Sequence, residues 1–197
     1  MKTGCCNTGF MTGLMFLFLA GTSMADETST VIADVSIDNS VQTASGSALV
    51  LNGAGIRKKA FFKVYIGALY VKERSQDAGK ILSADMENRV LMHFLYKEVS
   101  ASKLTDAWHD GFSANLPEND YKTMKPRIDQ LAAMFPAMKT GDRAVLEYSP
   151  DTGTTVTING QSRGSIAGAD FNRALLSVWI GEKPITGSLK AAMLGGK

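Results

Sequence analysis

Between Ser47 and Val71 the chain concentrates side chains that a helix accommodates poorly. Ile56, Phe61, Phe62, Val64, Tyr65, Ile66, Tyr70 and Val71 crowd one stretch, and β-branched and aromatic residues fit a pleated surface better than a helical one. Ala48-Leu49-Val50-Leu51 leads into it as a strand, Asn52-Gly53-Ala54-Gly55 predicts a turn, and Gly67 predicts a bend or bulge within the run that ends at Val71. A β-sheet therefore has to form the framework, and the other elements are read by how they can pack on it.

A further strand is predicted over 89–95. Val90, Met92 and Phe94 fall on one face and Leu91, His93 and Leu95 on the other, so both faces are apolar and the strand belongs in the middle of the sheet. After Ser100, a suitable N-cap, Leu104, Ala107, Trp108, Gly111 and Phe112 recur at spacings of three and four and mark one helix. A second helix is expected from Pro126, burying Ile128, Leu131, Ala132 and Phe135 before Pro136. Three short strands follow at 143–148, 154–158 and 162–166, with Asn159-Gly160 as the stronger hairpin signal. Helices close the chain at 170–179 and 188–194. Strands, then helices, then a meander, then helices imply an α+β fold with a largely antiparallel sheet. No repeat or low-complexity linker divides it, so one domain is expected over 46–197, preceded at 26–45 by a flexible or edge-strand segment with a weak alternation at Val31, Ala33, Val35 and Ile37.

The N-terminus reads as a cleavable secretory signal over 1–25: Lys2, an apolar run from Phe10 to Ala20, and a small-residue end at Ser23-Met24-Ala25. The apolar run is shorter than the roughly 20 residues of a bilayer span. Cleavage after Ala25 leaves 172 of the 197 residues, exported to the periplasm of a bacterium on this reading, with no stable membrane insertion. Cys5 and Cys6, the two cysteines of the chain, go with the signal, which removes disulfides, thiolate metal sites and cysteine nucleophiles from the remainder. The full chain carries +2, and Lys2 is the only charge in the signal, leaving the rest near +1. Such a balance provides no general attraction for nucleic acid or anionic membranes, so local sites must carry any function.

Two histidines, His93 and His109, with no His-x-x-x-His pair, give no metal-ligand spacing and read as packed or surface side chains. No Gly-x-Ser-x-Gly elbow is present. Gly53, Gly55 and Arg57 resemble part of a phosphate loop, but the third glycine and the Lys-Ser/Thr pair are missing, so a tight turn is the better reading. No cofactor is expected. Arg57 opens a mostly apolar strand. It is either a cation aimed into the sheet, which demands an anionic partner, or a surface arginine beside Lys58 and Lys59.

The segment Leu51-Asn52-Gly53-Ala54-Gly55-Ile56-Arg57, followed by Phe62-Lys63-Val64-Tyr65-Ile66-Gly67-Ala68-Leu69-Tyr70-Val71, resembles the signature of the chalcone isomerase-like family, which includes plant chalcone isomerases and fatty-acid-binding members. Leu176 to Glu182, followed by Pro184-Ile185-Thr186-Gly187-Ser188-Leu189-Lys190, is similar to its closing helices. The resemblance implies an open-faced β-sandwich, a large antiparallel sheet with helices on one face and a ligand cleft between them. It also implies that Arg57 takes the place of the arginine that stabilises an oxyanion in isomerases and holds a carboxylate in fatty-acid-binding members. Tyr65 and Tyr70 are then candidate carboxylate partners. Phe62, Leu69, Trp108, Phe112, Val178 and Trp179 are candidate walls, with Val178 where isomerases carry a threonine. The catalytic tyrosine and asparagine of true isomerases have no counterpart in Val99 to Asp110. The implied function is non-catalytic binding of a small amphipathic carboxylate. The alternative is an intramolecular lyase of isomerase type, with Arg57 as its catalytic group.

Overall fold

The computed structural model describes residues 28–196, together with Met1 and Gly4. The rest of the expected signal segment lies outside the described residues. In chain order the elements are β1 (Ser29–Ile32), β2 (Val35–Asp38), β3 (Ser40–Gln42), β4 (Ala48–Lys59), β5 (Phe62–Val71), α1 (Ala78–Ser83), β6 (Asn88–Phe94), β7 (Glu98–Val99), α2 (Ala101–Asn115), α3 (Glu118–Ala133), β8 (Met138–Lys139), β9 (Arg143–Ser149), β10 (Gly153–Ile158), β11 (Gln161–Ile166), α4 (Ala169–Ile180) and α5 (Gly187–Met193). Seven strands form one sheet in the order β11-β10-β9-β6-β5-β4-β3, every neighbouring pair antiparallel. The expected α+β fold with a large antiparallel sheet is what the chain adopts.

The helices share one face of that sheet. Against them Val64, Tyr65, Leu69, Val90, Met92, Phe94, Leu146 and Val156 form the main core with Leu104, Trp108, Phe112, Ile128, Phe171, Val178 and Trp179. Ser100 caps α2 as expected, its hydroxyl accepting from Lys103 N–H. Asn159 and Gly160 both take positive φ, 51° and 79°, as a two-residue hairpin turn requires.

Four expectations need correction. Residues 52–55 form no turn: β4 runs unbroken from Ala48 to Lys59, bulged at Asn52, and the chain reverses at Ala60-Phe61. Gly53 and Gly55 serve close approach instead, since a Cβ on Gly53 would lie 2.1 Å from the Ala192 carbonyl oxygen and one on Gly55 2.5 Å from Ala192 Cβ. Gly67 pairs in regular register with Gly55 and Met92 and receives Leu189 from α5. The second long helix begins at Glu118 with acidic residues in its first turn, and Pro126 lies inside it. Finally, 29–38 is a separate hairpin, β1–β2, turned at Ala33 and Asp34, both with positive φ; of the N-terminal strands only β3 joins the large sheet, at the edge opposite β11. That hairpin covers part of the second face, where Ile37, Leu49, Leu51, Ile66, Ala68, Tyr70 and Leu91 make a smaller core.

Candidate functional site

Arg57 stands opposite Tyr65 in the β4–β5 ladder. Directly paired residues project to the same face, and Tyr65 is buried in the helix-side core, so Arg57 also faces the helices. The three residues Gly53, Gly55 and Gly67 on that face make a floor for α5. Arg57 is the next position along β4 on the same side, where the floor ends and full-sized side chains return.

A small void lies there, about 20 Å³, lined by Arg57, Tyr65, Met92, Leu104, Ala107, Trp108, Val178 and Ile185. Two polar hydrogens in its wall have no partner among the described residues: Nε of Arg57 and Nε1 of Trp108 are both buried without a hydrogen bond. The guanidinium carbon of Arg57 sits 5.6 Å from the centre of the Tyr65 ring, and no described acidic side chain forms an ion pair with it. The Tyr65 hydroxyl accepts a 2.9 Å bond from Trp179 Nε1–H and donates to no described residue. Burial pushes the Tyr65 hydroxyl above its ordinary pKa, against the lowering effects of the Arg57 charge and the Trp179 bond. It therefore keeps its proton at neutral pH. Two residues that line the void thus each carry a buried donor with no described acceptor, an arrangement suited to a negatively charged or carbonyl oxygen.

Of the residues expected at the site, Arg57, Tyr65, Trp108 and Val178 come together around the void. Trp179 acts one step back, fixing the Tyr65 hydroxyl and meeting Trp108 edge-on at 5.7 Å between ring centres. Four others do not line it. Tyr70 is buried on the opposite face, where its hydroxyl donates to the Asp38 carbonyl at 2.9 Å. Phe112 stacks on Phe171 deeper in the core, and Phe62 is exposed at the end of the sheet against Tyr96. Leu69 belongs to the main core without lining the void. Met92, Leu104, Ala107 and Ile185 complete the lining without having been expected there, although the alternation in 89–95 and the spacing of three and four after Ser100 already put Met92, Leu104 and Ala107 on apolar faces. Among the described residues no cluster of His, Cys, Asp and Glu is arranged to hold a metal ion. His109 instead contacts Tyr121 and Asp129.

The sequence pattern of the chalcone isomerase-like family matches residues 29–195, nearly the whole described chain. This chain belongs to the chalcone isomerase-like family. Among curated proteins none matches it. Among solved structures it is similar to the crystal structure of a fatty-acid-binding protein of Arabidopsis thaliana, with a TM-score of 0.63 and 16% identity over 79% of this chain and 95% of that one. At that identity the likeness concerns the fold alone.

Proposed function

We propose that this member of the family is an exported, non-catalytic binding protein for a small amphipathic carboxylate, such as a fatty acid, with Arg57 holding the carboxylate. The observation that carries the reading is the pair of buried, unpartnered donors, Arg57 Nε and Trp108 Nε1, on two residues that line one void with a protonated Tyr65. An orphaned buried donor costs about 1–3 kcal/mol, and a carboxylate oxygen relieves that cost at both. Charge-assisted bonds to the guanidinium contribute about 1.5–3 kcal/mol each, and each methylene of a buried tail adds about 0.8 kcal/mol. The name of the structural neighbour, a fatty-acid-binding protein, supports the choice of ligand class. A void of about 20 Å³ admits roughly one water-sized group, so it suits a headgroup oxygen, and a tail gains room through rotation of Leu104, Val178 and Ile185.

Native mass spectrometry after incubation with a series of saturated fatty acids tests this. The expected result is one bound acid per chain, lost in Arg57→Ala. No uptake, or equal uptake by the variant, overturns it. In the same reading a chalcone panel keeps its long-wavelength absorbance in the presence of the protein; disappearance of that band makes the protein an intramolecular lyase. Export predicts recovery from the periplasmic fraction with Asp26 as the first residue, and cytoplasmic recovery with Met1 intact refutes it.

A further inference from the structure

The β4–β5 turn exposes apolar surface that the fold does not use. Phe61 is 99% exposed and Phe62 57%, and Tyr96, 37% exposed, packs edge-on against Phe62 with ring centres 5.3 Å apart. The remaining exposed large apolar side chains among the described residues, Met1, Val31 and Met86, include no aromatic ring. Ala60 beside them holds φ at 52°, a conformation that glycine adopts at less cost, so the apex is apolar even where the backbone favours the smallest residue.

Lys58, Lys59, Lys63 and Lys97 surround these rings, all exposed and none ion-paired among the described residues. Two acidic residues lie near that end of the sheet. Glu98 is 3.9 Å from Lys139, and Asp142 accepts from the Lys139 backbone N–H and from Asn159 Nδ2. Neither neutralises the four lysines. The patch is local, because the chain as a whole is close to neutral.

Aromatic side chains at an apex with a collar of lysines suit a surface that is negative outside and apolar a few ångströms below. We propose that this hairpin tip docks the protein on anionic lipid bilayers, with Phe61 entering the boundary of the acyl region and Lys58, Lys59, Lys63 and Lys97 lying on the headgroups. A protein partner fits less well. Two phenylalanine rings offer roughly 400 Å², whereas a stable protein interface takes about 800 Å² from each side, and the surface is a convex tip rather than a groove or a face. The contact is peripheral, since no helix among the described residues is long and apolar enough to cross a membrane. The inference does not rest on the carboxylate reading. If both hold, Arg57 lies two residues along β4 from Lys59, so the headgroup site is next to the bilayer surface.

Co-sedimentation with vesicles of phosphatidylglycerol and phosphatidylethanolamine, against vesicles of phosphatidylcholine alone, tests the proposal. Binding to the anionic vesicles is expected, weakening with salt. Each lysine near such a surface is worth about a fivefold factor in partitioning, so Lys58→Glu with Lys59→Glu lowers binding by more than tenfold. Phe61→Ser with Phe62→Ser lowers it by about tenfold at unchanged charge. Both double variants are at exposed positions, and unchanged melting curves confirm that they fold. A Phe61→Trp variant shows blue-shifted emission and quenching by brominated lipid. Failure to sediment with anionic vesicles at low salt overturns the proposal, as does undiminished binding by the Phe61→Ser, Phe62→Ser variant, or a tip that captures a protein while ignoring vesicles.

Discussion

Tyr65 and Tyr70 are five residues apart on β5, both buried and both pushed toward higher pKa by burial, yet they belong to different faces of the sheet. On the outer face Tyr70 donates to the Asp38 carbonyl beneath the β1–β2 hairpin, and its surroundings are closed. On the helix face Tyr65 accepts from Trp179 while keeping its own proton unassigned, next to two donors with no acceptor. Tyr70 is satisfied, whereas the Arg57 and Trp108 donors beside Tyr65 are not. Unsatisfied groups cost stability and persist where a ligand completes them, so the contrast separates a tyrosine that holds the structure together from one positioned for binding.

The contrast is broken most severely at the floor of the helix face. Gly53→Ala places a methyl group within 2.1 Å of the Ala192 backbone oxygen. The clash is with main chain, which can yield only by moving α5, and the expected loss is about 3 kcal/mol, measurable by urea unfolding. Ala54, the next residue, already carries a methyl group and packs with the outer core.

A smaller effect gives opposite signs on the two faces. Arg57→Met removes a buried orphan donor and is expected to stabilise the ligand-free protein by about 1–2 kcal/mol while abolishing carboxylate uptake. Tyr70→Phe removes a satisfied hydrogen bond and costs about 1 kcal/mol with uptake intact. Thermal melts of the two variants, taken with and without fatty acid, decide the matter. Destabilisation by Arg57→Met in the absence of ligand makes the helix face as structural as the outer one.

The smallest effect is in alkali. Burial, followed by the nearby Asp38 charge, raises Tyr70 to about 12, and burial followed by the Asp85 hydrogen bond raises Tyr148 to about 12. A group whose folded pKa exceeds its unfolded value of about 10 contributes stability that is complete below pH 10 and is lost as pH rises toward 12. Stability measured by urea unfolding is therefore expected to decline between pH 10 and 12, before Tyr70 and Tyr148 of the folded protein show tyrosinate absorbance near pH 12. In Tyr70→Phe the decline is shallower.

Local signals were sufficient where a residue's role is local. Ser100 announced α2, Asn159-Gly160 announced a hairpin, and the double apolar face of 89–95 announced a central strand, because caps, turns and alternation are decided within a few residues. Gly53 and Gly55 misled because glycine permits a tight turn and also close approach of another backbone, and the α5 contact that decides between them comes some 140 positions later. The actual reversal at Ala60-Phe61 carries no glycine to mark it. The ring of Pro126 suits a first helical turn, whereas packing of Met124, Ile128 and Leu131 in the main core holds the helix through it. Tyr70 does not belong at the site where the family resemblance put it, although the strand period already held the answer: an odd separation from Tyr65 places the two on opposite sides. Arg57 was found through its motif, but the missing acceptor became visible only once Trp108, Val178 and Ile185 had been brought around it from distant elements.

The side chain of Asn52 has a consequence for the timing of folding. At the bulge in β4 its Nδ2 donates to the Met193 carbonyl at 2.7 Å and to the Ser75 carbonyl at 3.0 Å, while its Oδ1 accepts from Ser75 N–H. One amide thus ties an early strand to the last helix, and the glycine floor beside it stays bare until that helix arrives. A chain emerging N-terminus first, from a ribosome or across a membrane, can complete its loop contacts early but has to leave β4 uncovered until residue 193 is free. Closure is a terminal event, made by the part of the chain delivered last.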